Sequence, residues 1–114
     1  MRAAILYLSL LLATPAAAVG MSMGHEMLPQ GVTQTACLDL AARVAAGEGL
    51  RQLNRDGRAI WAENQAGDEL YGIYCIAERG MVTVTGAADQ AEAVSQMVAR
   101  LRAALRGEGS PRRK

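Results

Sequence analysis

The longest run of apolar positions typical of strands extends from Glu69 to Gly86. Apolar residues fill both faces of its first half, which is typical of a strand near the middle of a sheet and covered on both sides. Glu78-Arg79-Gly80 predicts a turn, and Met81–Thr85 returns as a β-branched strand. Ala59–Ala62 predicts a further short strand upstream. Together these segments predict an antiparallel meander of three strands.

Two amphipathic helices are predicted to flank this meander. The first begins at Thr33 or Thr35, and its apolar stripe consists of Cys37, Leu40, Ala41 and Val44. The second runs from about Ala88 or Asp89 to Arg106, with the stripe Val94, Met97, Val98, Leu101 and Leu105. Leu50–Leu53 is a candidate fourth strand. The expected fold class is therefore α+β: a small antiparallel β-meander of three or four strands, flanked by an N-terminal and a C-terminal helix on one sheet face.

The ends of the chain predict processing and flexibility. Residues 1–18 have a positive start, an apolar run and small residues at the end, as in a secretory signal peptide cleaved after Ala18, or alternatively after Gly20. Residues 19–32 are predicted to be a flexible arm, 33–106 a single domain and 107–114 a disordered basic tail. The apolar run is too short to span a bilayer, so we expect a periplasmic or secreted protein without a membrane span.

Charge and residue types exclude several function classes. Between Val19 and Gly109 there are eight arginines and eleven acidic residues, a net charge of −3, and three basic residues follow at the end. This balance and the predicted export make nucleic acid a poor partner. One histidine in a predicted arm supplies no catalytic triad on rigid elements, and no glycine-rich loop leads from a strand into a helix. The sequence therefore predicts a protein that is not an enzyme.

The two cysteines predict one disulfide. Cys37 lies on the apolar stripe of the first helix and Cys75 in the middle of the central strand, where the helix should pack. Two cysteines in an exported chain usually pair, and their spacing is unlike C-x-x-C. We expect Cys37–Cys75 to be a structural disulfide, with free thiols or metal ligation as the alternative.

The predicted arm carries the only candidate chemistry. Met21, Met23, His25 and Met27 occupy alternate positions, so an extended backbone would place all four side chains on one side. Thioether and imidazole donors suit Cu(I), and His25 with Glu26 would also suit Cu(II) or Zn(II). Cleavage after Ser22 would instead make His25 the third residue, where the terminal amine and backbone nitrogens join it in binding Cu(II). Copper is the only cofactor predicted.

A second hypothesis is a structural or protein-interaction module of the cell envelope without a metal. Tyr71, Tyr74 and Trp61 would then form an aromatic patch on the sheet face opposite the helices. The alternative is that these rings fill the core, because the chain has no phenylalanine.

Overall fold

The structure is a computed structural model that describes residues 19–109. The predicted signal peptide, residues 1–18, and residues 110–114 of the predicted tail lie outside this range. The elements follow in the order β1 (Gly20–Met27), α1 (Gln34–Gly47), β2 (Arg51–Arg55), β3 (Ala59–Glu63), β4 (Glu69–Ile76), a 3-10 turn (Ala77–Arg79), β5 (Met81–Ala88) and α2 (Ala91–Gly109).

The strands form one antiparallel sheet in the order β1-β5-β4-β3-β2. The α+β class, the meander β3-β4-β5 and the central place of β4 are thus confirmed. The sheet has five strands rather than three or four, because Arg51–Arg55 pairs with β3 and Gly20–Met27 pairs with β5. The two additional strands are the two edges of the sheet.

Both helices pack on one face of this sheet, as predicted, and a single hydrophobic cluster joins them to it. Thr33 caps α1, since its hydroxyl accepts a hydrogen bond from the Ala36 N–H at 3.1 Å. The predicted stripes of both helices are buried, and the alternate β4 residues Tyr71, Ile73 and Cys75 face them. The Cys37–Cys75 disulfide is present, with 6.0 Å between its Cα atoms. It links α1 to the central strand.

The prediction of a flexible arm over 19–32 is wrong for Gly20–Met27, which is the edge strand β1. All eight of its residues pair with β5 without a bulge. The strand is difficult to predict because its amphipathicity is inverted. The side toward α2 carries small and polar residues (Gly20, Ser22, Gly24 and Glu26), while the exposed side carries the methionines.

Close packing of α2 against β1 explains the small residues. A Cβ on Gly20 would lie 2.4 Å from the Cα of Ala91, at the first turn of α2. A side chain larger than hydrogen would therefore push the helix away from the strand.

The second helix also extends further than predicted. It continues through Gly109, so residues 107–109 are helical rather than part of a disordered tail. Neither helix of the described residues is long and apolar enough to cross a bilayer.

Candidate functional site

The four residues predicted as metal ligands line one side of β1. We call Met21, Met23, His25 and Met27 the Met/His row. Their side chains lie on the sheet face away from the helices, which we call the open face. The exposed fractions of the three methionines are 74%, 74% and 66%, and His25 is also exposed. The prediction that these side chains share one side holds, but they do so on a strand of the sheet.

A buried carboxylate paired with two partly exposed arginines fixes β1 from the other side. Glu26 points toward α2, and its Oε2 accepts hydrogen bonds from Arg102 Nε and Arg106 Nη1, each at 2.8 Å. The Glu26 side chain is only 10% exposed. Gly24 makes room for this contact, since a Cβ there would lie 2.7 Å from the side chain of Arg102. The Met/His row is therefore presented by an anchored strand.

Strand geometry limits which of the four residues can share one ion. Neighbours in the row are two residues apart, which corresponds to about 6.8 Å, and the row spans about 20 Å from end to end. His25 lies between Met23 and Met27, and long thioether side chains can converge on an imidazole from both sides. Met21 lies one step beyond Met23, so it is the outlying member of the row.

Met81 adds a further thioether that the sequence pattern does not predict. Met81 is the cross-strand partner of Met27 and shares its face of the sheet. Leu28 donates to the Gly80 carbonyl, and because the two types of pair alternate, Met27 and Met81 exchange no backbone hydrogen bonds. The Cα atoms of such a pair are about 4.5 Å apart. Met23, His25, Met27 and Met81 therefore bring three sulfur donors and one imidazole to one corner of the open face. Met81 would have been found only by knowing that β1 pairs with β5.

The rest of the open face is partly apolar. Leu70 and Trp61 are 45% and 37% exposed, and Tyr74 is half-buried. The Trp61 ring lies over Gly72, where a Cβ would be 2.5 Å from Cζ3. The prediction that β4 is covered on both sides is therefore wrong, because neither described helix covers Leu70. Of the three aromatic residues considered, only Tyr71 belongs to the core.

Among the core side chains of residues 19–109, Tyr71 has a strongly perturbed ionisation. Its ring is 1% exposed, and its hydroxyl donates a 2.6 Å hydrogen bond to Glu69 Oε1. Burial, and then the hydrogen bond to this carboxylate, raise the pKa of Tyr71 well above its usual value. The phenol stays neutral and serves the packing of the core.

A groove of about 610 Å³ opens at the end of the sheet near the disulfide. Gln34 occupies this end: its Nε2 donates to the carbonyls of Gly57 and Cys75, and its Oε1 accepts from the Ala77 N–H. The Arg58 guanidinium lies beside it, where a 3.4 Å hydrogen bond to the Tyr74 hydroxyl raises the pKa of Arg58. The side-chain amide of Gln34 thus links the start of α1 to the β2–β3 turn and to the end of β4, beside the disulfide.

The turn between β2 and β3, residues 56–58, is stabilised by an acidic side chain. Asp56 Oδ1 accepts hydrogen bonds from the N–H groups of Arg58 and Ala59, at 2.7 and 2.9 Å. These two bonds lower the pKa of Asp56. These hydrogen bonds explain the tight connection between β2 and β3.

Within residues 19–109, no group of three or more histidine, cysteine, aspartate and glutamate side chains is placed to hold a metal ion. The Met/His row is a different type of donor set, with thioether sulfur and a single imidazole. No protein-family model matches the chain, and a search of curated proteins found none that is detectably similar.

Proposed function

We propose that this protein binds Cu(I) on the open face of its sheet, through His25 with Met23 and Met27. The proposal is supported by one observation: the Met/His row lies on one exposed side of an anchored strand. Thioether and imidazole are soft and borderline donors, which favour Cu(I) over harder ions. Met81 is placed to join this set, and Met21 lies at its outer end. Such a protein holds or delivers copper without being an enzyme.

The predicted export fits this function. A signal peptide over residues 1–18 would place the domain in the periplasm or outside the cell, where a copper carrier would meet its ion. Cleavage after Ala18 would leave β1 whole. Cleavage after Ser22 would remove three residues that pair with β5, so we favour the earlier position.

The test is an anaerobic titration with Cu(I) in the presence of a competing chelator. We expect binding in the micromolar range or tighter. Deleting residues 19–32 is not a useful control, because it would remove an edge strand and the Glu26 anchor. The informative variant is Met23→Leu/His25→Gln/Met27→Leu, which keeps the side-chain sizes on an exposed face.

We expect this triple variant to lose at least a hundredfold in Cu(I) affinity while its unfolding curve is unchanged. Met97→Leu is the matched control, because Met97 is 7% exposed, lies in the core and should not affect binding. Absence of micromolar binding in the parent protein, or equal affinity in the triple variant, would refute the proposal.

A second candidate function is a protein-interaction module of the envelope. The observation that favours it is the exposure of Trp61 and Leu70 on the open face, which also carries the Met/His row. A photocrosslinker at position 70 should then give an adduct of defined mass in living cells, with or without added copper. The same crosslinker at Arg43, on the exposed side of α1, is the control. Equal labelling from both positions would contradict a specific partner.

A further inference from the structure

The two edges of the sheet differ in how they are protected. β2 has five exposed residues, a bulge between Gln52 and Asn54, and an arginine at each end. Short length, bulges and charges are the usual devices that prevent an edge from pairing with another strand. β1 has eight residues in uninterrupted register, and within the part of the chain that the structure describes no strand pairs with its outer side.

Unlike β2, the β1 strand has no bulge, and His25 is the only titratable side chain on its exposed side. It has no proline and no lysine, and its one acidic residue, Glu26, points toward α2 and is paired with two arginines. In an antiparallel pairing centred on Gly24, Glu26 would lie opposite Ser22 of the second copy, so no two carboxylates of β1 would oppose each other.

The outward backbone groups of β1 belong to the Met/His row. The Leu28 N–H donates to the Gly80 carbonyl at 2.8 Å, and Leu28 and Gly80 continue the β1–β5 register. Because hydrogen-bonded and non-hydrogen-bonded pairs alternate in an antiparallel ladder, the even-numbered residues of β1 bond to β5. The odd-numbered residues, which are the four members of the row, direct their N–H and C=O groups to the outer edge.

A second ladder gives the same alternation. The Cys75 N–H donates to the Arg58 carbonyl at 2.8 Å, so Cys75 bonds to the β3 side and its neighbour Ile76 bonds to β5. Ile76 is opposite Met81, and Met81 therefore bonds to β4 rather than to Met27. Both ladders therefore direct the N–H and C=O groups of the odd-numbered β1 residues to the outer edge.

We infer that β1 pairs with β1 of a second copy of this chain and that the two copies share the metal site. Any antiparallel strand added at this edge must bond to the odd-numbered residues, and directly opposed residues lie on the same sheet face. A second copy would therefore set its own Met/His row beside the first, with opposed Cα atoms about 5.5 Å apart. The register that pairs all four members is centred on Gly24 and places His25 opposite Met23 of the second copy. The pairing is inferred from the unpaired outer side of β1, whereas the shared metal site depends on the proposed Cu(I) function.

The experiment is sedimentation velocity on the protein in the form purified from the cell, without metal, across a dilution series. Met21→Pro removes one outward N–H, fits an edge position and leaves the β5 ladder and residues 23, 25 and 27 intact. Met21→Leu loses the same thioether but keeps the N–H, so it is the matched control. We expect dimers for the parent protein and for Met21→Leu, and monomers for Met21→Pro. At dilutions where every form is monomeric, the unfolding curves of Met21→Pro and Met21→Leu should coincide, because only the dimer adds stability.

A parent protein that stays monomeric up to near-millimolar concentration would overturn the pairing, as would a Met21→Pro variant that dimerises as tightly as Met21→Leu. Cu(I) affinity, measured with a competing chelator, tests the sharing. We expect Met21→Pro to bind Cu(I) at least tenfold more weakly than Met21→Leu. Equal affinities would refute a shared site and leave a single-chain Cu(I) function standing. Dimers that bind no Cu(I) would refute the proposed function and leave the pairing standing.

Discussion

The anchor of β1 can be tested by removing one charge. Glu26→Gln keeps the size of the side chain but takes the carboxylate away from Arg102 and Arg106. A hydrogen bond to a charged group contributes about 1.5–3 kcal/mol when buried. The two arginine side chains are 38% and 55% exposed, so solvent screening reduces each contact toward about 1 kcal/mol. We expect a loss of about 2 kcal/mol in the free energy of unfolding, or about 1–2 M in the urea midpoint.

Urea unfolding measures the total loss, and hydrogen exchange locates it. The even-numbered amides of β1 should exchange faster in Glu26→Gln through local opening of the edge, while those of β4 should change less. Arg100→Gln is the control, because the Arg100–Glu48 pair is more exposed, with side chains at 52% and 26%. Its loss should be below about 0.5 kcal/mol. If Glu26→Gln costs no more than Arg100→Gln, the ion pair does not hold β1 in place.

Three further outcomes are expected. Replacing both Cys37 and Cys75 by alanine opens a cross-linked loop whose ends are separated by 38 residues in sequence. The free energy of unfolding, measured in urea, should fall by about 4 kcal/mol. A loss below about 1 kcal/mol would contradict this. Limited hydrogen peroxide should oxidise the three methionines of the Met/His row before Met97, because Met97 is only 7% exposed. Peptide mass spectrometry measures the oxidation of each residue, and equal rates would contradict the exposures. The pKa of Tyr71 is raised by burial above its ordinary 10.0, so the unfolded chain loses that proton first and stability should fall as the pH rises above 10. Tyr71→Phe should flatten this fall in alkaline unfolding curves, and an unchanged slope would assign the fall to other groups.

The centre of the fold could be predicted because its residues obey simple rules. Cys37 and Cys75 each lie at a position whose periodicity indicates burial, so their pairing follows from packing one helix on one strand. The stripe of α2 is equally regular, and its five members are all buried. In these segments the local pattern and the tertiary contacts demand the same residues.

The edge and the open face could not be predicted in this way. β1 has a period of two, but its large apolar side chains are exposed and its small ones are covered, which is the reverse of the usual strand. The close approach of α2 at Gly20 and the contact of Arg102 with Gly24 explain that order. Met81 joins the candidate site through a pairing between distant segments, and no local pattern of residues contains that information.

The position of Trp61 has a practical consequence. It is the only tryptophan of the chain, and its half-exposed indole lies on the open face over Gly72 rather than in the core. Its strand is three strand spacings from β1, about 14 Å away. Intrinsic fluorescence should therefore respond less to repacking of the interior than to whatever covers this face. Trp61 is therefore an intrinsic fluorescent probe on the open face. Binding of a ligand or a partner protein to this face can be followed without an added label.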